Sequence, residues 1–264
     1  MTKLLKYILV TAVVVLGLGI SDLAAQHYVG VRGGYGYGNI RAYPKYVTSP
    51  VWGKWTGGVS WKWYNEVQVF GCIGADVEFQ QRGFKRYFGN NTDSTLYYRR
   101  DLQSLVVPFY WQPHLYFFKR HVRVFVTAGV NLQYNIGESD IAYGYDRDKK
   151  PNSTDKYIYD KVRDRRLGYG LVVGGGAGLL FGRMEFYVDA RYYYGFSDLL
   201  TTRGKYSANP VRTELDNLFI NFGIYVRLGK GGIKAPPLNL NDPARRAARE
   251  ADRKNFQDVK VINM

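Results

Sequence analysis

The sequence predicts an all-β fold: an eight-stranded antiparallel transmembrane β-barrel with a short helical periplasmic C-terminal tail. Three observations lead there. After residue 25, apolar residues recur at every second position through most of the chain, the period of a strand and not of a helix. The chain carries 24 Tyr, 14 Phe and 5 Trp beside 30 Gly, a pairing that suits close-packed β-structure whose outer face meets something apolar. Long and short connections alternate, as they do between the hairpins of an outer-membrane barrel.

The amino terminus comes first. Lys3 and Lys6 precede an apolar run from Tyr7 to Ile20, then Leu23-Ala24-Ala25 before Gln26. This is the pattern of a secretory signal peptide over residues 1–25; a membrane anchor, the alternative, needs roughly 20 apolar residues. No Cys follows the run, which argues against a lipoprotein anchor. The single Cys72 excludes an internal disulfide and a Cys-based zinc cluster. The formal charge, 37 minus 22 or +15, allows nucleic acid, acidic lipid or a polyanionic surface as neighbour. Export removes nucleic acid from that set.

Eight segments follow. In Tyr28–Tyr37, Val29, Val31, Tyr35 and Tyr37 oppose Gly30, Arg32, Gly34 and Gly36. Lys54–Trp63 sets Trp55, Gly57, Val59, Trp61 and Trp63 against Lys54, Thr56, Gly58, Ser60 and Lys62. Gln68–Gln80 opposes Val69, Ile73, Ala75, Val77 and Phe79 to Cys72, Gly74, Asp76, Glu78 and Gln80. Leu105, Val107, Phe109 and Trp111 form the fourth outer row, where Pro108 removes a ladder donor and predicts a bulge. The fifth, Val122–Tyr134, shows valines and Leu132 against Arg123, Thr127, Asn131 and Gln133. The sixth faces Leu167, Tyr169, Leu171, Val173, Ala177 and Leu179 against Gly168, Gly170, Gly174, Gly176 and Gly178. The seventh opposes Phe186, Val188, Ala190 and Tyr192 to Glu185, Tyr187, Asp189 and Arg191. The eighth opposes Leu218, Ile220, Phe222, Ile224 and Val226 to Asn217, Asn221, Tyr225 and Arg227.

Each segment approaches the roughly 9–11 residues of a tilted spanning strand. Long connections are expected near 38–53, 81–103, 136–166 and 195–216, and short ones near Asn65-Glu66, Pro113–His121 and Gly182-Arg183. The first set then faces outside, and both termini face the periplasm. Alternation assigns Trp55, Trp61, Trp63, Trp111, Phe186, Tyr192 and Phe222 to the membrane. It assigns Arg32, Lys62, Asp76, Glu78, Arg123, Glu185, Asp189, Arg191 and Arg227 to a polar network in the lumen. An eight-stranded barrel is only about wide enough for side chains to fill, so a plugged interior is expected.

The stretch Val77-Glu78-Phe79-Gln80-Gln81-Arg82-Gly83-Phe84-Lys85, with Leu102-Gln103-Ser104-Leu105-Val106-Val107-Pro108, resembles the PorT-like outer-membrane β-barrel family. So do the glycine-rich strand Tyr169–Gly176 and the segment Asp189-Ala190-Arg191-Tyr192-Tyr193-Tyr194-Gly195-Phe196-Ser197-Asp198. The resemblance spans roughly 28–228. It implies the barrel fold and, through the family's namesake, a part in the type IX protein secretion machinery of Bacteroidota.

Beyond the barrel (26–229), residues 230–264 change composition. Gly231-Gly232 and Pro236-Pro237 form a linker, and Asp242-Pro243 is a helix start. The following helix has only an alanine stripe, supported by Arg246 to Glu250 and Glu250 to Lys254 at i,i+4. It reads either as a solvated tail or as a basic periplasmic handle made by Arg245, Arg246, Arg249, Arg253 and Lys254.

Catalysis is the competing class. The three histidines, His27, His114 and His121, all fall at the periplasmic side without a Ser-His-acid set. The third loop, Glu138–Arg166, holds eight basic and seven acidic residues, including Asp140, Asp146 and Asp148, and reads as a solvated hairpin. The expectation is a non-enzymatic barrel without cofactor, catalytic residue or metal, in contact with outer-membrane lipid and lipopolysaccharide. It would serve as an accessory of type IX secretion touching periplasmic or outer-membrane components; the alternative is a stand-alone envelope or adhesion barrel acting through its loops.

Overall fold

A computed structural model describes residues 26–45, 47–64, 71–88, 96–118, 121–145, 151–201 and 212–228. The predicted signal peptide and the whole tail, with its helix and its five basic residues, lie outside the described residues.

The described chain is almost entirely strand: β1 (Gln26–Tyr43), β2 (Thr48–Tyr64), β3 (Cys72–Tyr87), β4 (Leu96–Gln112), β5 (His114–Phe117), β6 (Val122–Tyr145), β7 (Ser153–Tyr157), β8 (Leu167–Phe181), β9 (Met184–Gly195) and β10 (Arg212–Leu228). Strands β1, β2, β3, β4, β6, β8, β9 and β10 form a closed antiparallel ring, with β5 and β7 as short additions to β6. Closure is made by β1 against β10, from His27 opposite Leu228 to Tyr43 opposite Arg212. In hydrocarbon each unpaired backbone group costs several kcal/mol, which is the reason the ring has no free edge across its apolar band.

The eight ring strands occur at the eight predicted segments, in order. Their lengths differ from expectation at one end. Much of the supposed loop sequence at 38–53, 81–103 and 136–166, and the last part of that at 195–216, is strand: β1 continues to Tyr43, β3 to Tyr87 and β6 to Tyr145, where β7 turns back against it, and β10 begins at Arg212. Above the apolar band the outward face turns polar, as at Arg41 and Arg99, while Ile40, Phe84 and Leu102 stay packed inside, so the period-2 signal fades while the hydrogen-bond ladder goes on. The connection Pro113–His121 is likewise not all turn. Strand β5 continues the register of β4 against β6, with Trp111 opposite Ala128 and His114 opposite Phe125.

Pro108 produces no bulge. The β3–β4 register is the same on either side of it, Ala75 opposite Phe109 and Glu78 opposite Val106, and only the rungs between are missing. The irregularities fall instead at Gly36/Tyr37, between Pro50 and Thr56, and between Asp101 and Gln103. At the second of these, Lys54 pairs with Asp101 at 2.8 Å rather than joining the lumen ions.

Three apolar layers fill the barrel. At the end carrying the start of β1 and the finish of β10, Tyr28, Tyr64, Cys72, Phe125, Tyr187 and Tyr225 pack together. Val106, Tyr110, Val172, Tyr193 and Phe219 form the middle layer. Ile40, Phe84, Leu102, Leu199 and Leu215 close the opposite end, the mouth. Glycine makes room at particular places. A side chain at Gly30 would collide with the ring of Tyr225, and one at Gly36 with the backbone of Leu218 and Phe219 on β10.

Candidate functional site

The inward columns of β1, β3 and β9 bring five of the lumen ions together. Arg32 Nη1 lies 2.7 Å from Asp76 Oδ2 and 2.9 Å from Glu78 Oε1, and its Nη2 lies 3.3 Å from Asp189 Oδ1. Arg191 reaches the same Asp76 oxygen at 2.7 Å and donates from Nε to Asp189 at 2.8 Å. Neutral donors complete the carboxylates: Tyr110 to Asp76, Tyr193 and Gln80 to Glu78, and Asn221 to Asp189, each at 2.7 Å. A buried charge is costly unless paired and hydrogen-bonded, and here each acid has several donors.

Of the other predicted lumen residues, Lys62, Arg123 and Glu185 form a second group nearer the end where β1 starts and β10 finishes. Arg123 pairs with Glu185, and its guanidinium lies 4.1 Å from the centre of the Tyr64 ring. Lys62 is fully buried with no hydrogen-bond partner among the described residues. Its ammonium instead faces the rings of Tyr225, Tyr187 and Phe125 at 3.9, 4.7 and 5.3 Å. Arg227 stands apart, half-buried at the rim, where its backbone N–H donates to the carbonyl of Arg183.

Sequence reasoning missed the upper part of the lumen. Arg82 is buried and bonded to Gln133 and to the carbonyl of Leu215. Its place in the column Cys72, Gly74, Asp76, Glu78, Gln80 was the available signal. Above it, Arg100 stacks on Tyr157 at 3.5 Å, and Tyr157 donates to Asp164 at 2.7 Å. Asp164 bridges to Leu200, while Leu199 is buried and bonds Thr213 through its N–H. The stretches around Asp164 and Leu199 thus fold into the mouth as a cap. Burial, then the Asp164 hydrogen bond, raises the pKa of Tyr157.

The outer wall carries the aromatic set. Trp55, Trp111, Phe186 and Phe222 are exposed, while Trp61, Trp63 and Tyr192 are half-buried. Trp61 stacks with His27 at 5.8 Å, and Tyr192 donates to Asp216 at 3.1 Å. Apolar columns such as Val59, Val126 and Val130 are more than half exposed on this wall, the arrangement of a surface whose solvent is hydrocarbon. Nearer the mouth the wall turns polar: Arg41 pairs with Glu214 at 2.7 Å and with Asp216 at 2.6 Å.

The histidines do not assemble a catalytic set. His114 and His121 bond the carbonyls of Gln112 and Phe118, and His27 rests on Trp61. In the third loop, Asp140 pairs with Lys156 on the exposed β6–β7 hairpin. Asp146 and Asp148 lie outside the described residues.

Solved barrels resemble this one at low identity. The attachment invasion locus protein Ail of Yersinia pestis is 12% identical, with a TM-score of 0.34 over 75% of this chain and 97% of that one. Neisserial surface protein A is 11% identical, with a TM-score of 0.38 over 77% and 99%. A major outer membrane protein from Thermus thermophilus is 12% identical, with a TM-score of 0.41 over 78% and 100%. No curated protein matches the chain. The sequence profile of the outer membrane protein beta-barrel domain matches residues 24–201. With a closed eight-stranded ring, an apolar outer wall and that match, the chain belongs to the outer membrane protein beta-barrel domain family and is a protein of the outer membrane.

Proposed function

We propose that this protein is a closed, non-conducting and non-enzymatic barrel that works through its surfaces. The observation that carries the reading is the lumen, where Arg32, Asp76, Glu78, Asp189 and Arg191 meet across the barrel with no exposure of their side chains. Ions locked to one another in this way are poor conductors, and the cap made by Tyr157, Asp164 and Leu199 stands over them. The end where β1 starts and β10 finishes faces the periplasm in this reading and the capped mouth faces outside, as long extensions do in outer-membrane barrels.

Within that reading the barrel serves as an accessory of type IX protein secretion, with the basic tail as its periplasmic contact. The resemblance of Val77–Lys85, Leu102–Pro108 and Asp189–Asp198 to the PorT-like family supports this role. The alternative is a stand-alone envelope or adhesion barrel acting through the mouth, which the β6–β7 hairpin and the cap favour. Removing residues 236–264 separates them. The secretion role predicts that export and co-purification of periplasmic components fail while the barrel still assembles; unchanged export ends it. Planar-bilayer recordings test the common premise, and a steady large conductance would contradict it.

A further inference from the structure

Where β4, β6 and β7 extend together toward the mouth, their outer face holds a groove of about 550 Å³. Arg100 is buried, so its neighbours Arg99 and Asp101 point outward. The strand register then lays two rows side by side, Arg99, Ala142 and Thr154 in one and Asp101, Asp140 and Lys156 in the other. Ala142, with only a methyl group on the middle strand, is the floor between longer neighbours, and Pro151 adds apolar lining. Tyr157, next along β7, turns to the inside and donates to Asp164. The groove and the cap therefore use opposite faces of β7.

The charges around the groove are balanced and already joined. Arg99 donates to Asp101 from Nε at 3.1 Å and from Nη2 at 2.7 Å, and Lys54 meets the same carboxylate at 2.8 Å. Lys156 meets Asp140 at 2.7 Å. Asp155 is the third acid of the lining, against the bases Lys54, Arg99 and Lys156. Exposed pairs of this kind add little to stability, and Asp101 directly opposite Asp140 in the ladder is unfavourable. Folding alone does not account for the set.

We infer that this groove binds a neutral saccharide. A sugar hydroxyl both donates and accepts, so it is matched by a carboxylate standing beside a guanidinium or ammonium group, while the C–H face of the ring fits a small apolar floor such as Ala142. The ion pairs hold these groups in place before the ligand arrives, so little side-chain freedom is lost on binding. The groove's volume falls within the roughly 300–1,000 Å³ of small-ligand pockets. A phosphorylated or sulfated ligand would meet three acids, and a cation would meet carboxylates already bonded to bases, so an uncharged polyol is the occupant that fits. The inference rests on the reading of the barrel as working through its surfaces, and it gives the mouth a ligand class.

The test is binding of the full chain to an array of neutral oligosaccharides, in a polyoxyethylene detergent whose head carries no sugar. Some members should bind, with an affinity that changes less than about twofold between about 0.1 and 0.5 M salt, because the ligand has no charge to screen. Ala142→Leu, which fills the floor, should weaken that binding about tenfold or more, and Asp140→Ala with Lys156→Ala about tenfold through the lost charged hydrogen bonds. Arg212→Gln, across the ring on β10, should bind as the unaltered protein does. The inference is overturned if no neutral member distinguishes the unaltered protein from Ala142→Leu. It is also overturned if binding falls steeply with salt or bisphosphorylated lipid A displaces the saccharide, either of which marks a site for acidic ligands; these two measurements need no variant. Gel mobility of unheated samples shows that each variant is a folded barrel. Recovery of the bound saccharide in cleaved form would end the non-enzymatic reading and leave the groove standing, so the two failures are distinguishable.

Discussion

Arg191 on β9 and Asp76 on β3 meet at 2.7 Å across the full width of the barrel, since β3 and β9 stand four places apart in a ring of eight. Arg32 donates to the same Asp76 oxygen. One carboxylate therefore ties three strands that are not neighbours, and the interior charge becomes a cross-brace. Breaking a buried pair by removing one member leaves an uncompensated charge and costs about 3–5 kcal/mol.

Asp76→Asn should accordingly lower the unfolding midpoint in urea with a loss of that order, read by Trp fluorescence of barrel reconstituted in lipid. Exchange of both Arg191 and Asp76 for apolar residues of similar volume should cost less than Asp76→Asn alone. A loss below about 1 kcal/mol for Asp76→Asn would show that the brace is not holding the barrel.

Gly36→Val addresses closure. Its side chain would press into the Leu218 and Phe219 backbone at the β1–β10 seam. The expected outcome is a sharp drop in the fraction that migrates as folded barrel in unheated gels. The equivalent change at Gly182, whose turn position has open space around it but a φ of 59°, should let the barrel close and act mainly on the turn.

The cap responds to alkali. Tyr157 has its pKa raised above the ordinary value of 10.0 by burial and by its bond to Asp164. A raised acid of this kind stabilises the folded cap fully below the unfolded tyrosine pKa, and that contribution is lost as pH climbs toward the folded value. Trypsin cleavage after Lys161 and Arg163 should therefore accelerate above about pH 10 in the unaltered protein. Tyr157→Phe should show faster cleavage already at neutral pH, because the Asp164 bond is gone.

Most of the fold is legible in the sequence, and for one physical reason: within the apolar band each strand has one face in lipid and one in a packed interior, so alternation is written strongly. Val122–Tyr134 is the clearest example. Where the outward face leaves that band, as in Tyr97–Asp101 and Ser139–Tyr145, the pattern dissolves although pairing continues, and such stretches look like loop. The inward side of each strand follows from parity. Which acid each base meets does not, because Arg191 and Asp76 are 115 residues apart and their contact depends on shear. The cap is hidden for the same reason: nothing local in Asp164 or Leu199 says that it folds inward.

The lipid-facing assignment is tested most directly by quenching from brominated lipid chains. Single Trp residues are placed in turn at Val126, Thr127, Val130 and Asn131 of β6 after the native Trp residues are replaced by Phe. Strong quenching is predicted at 126 and 130 and weak quenching at 127 and 131. Equal quenching at all four, or quenching at none of them, would contradict a wall of alternate residues turned to lipid.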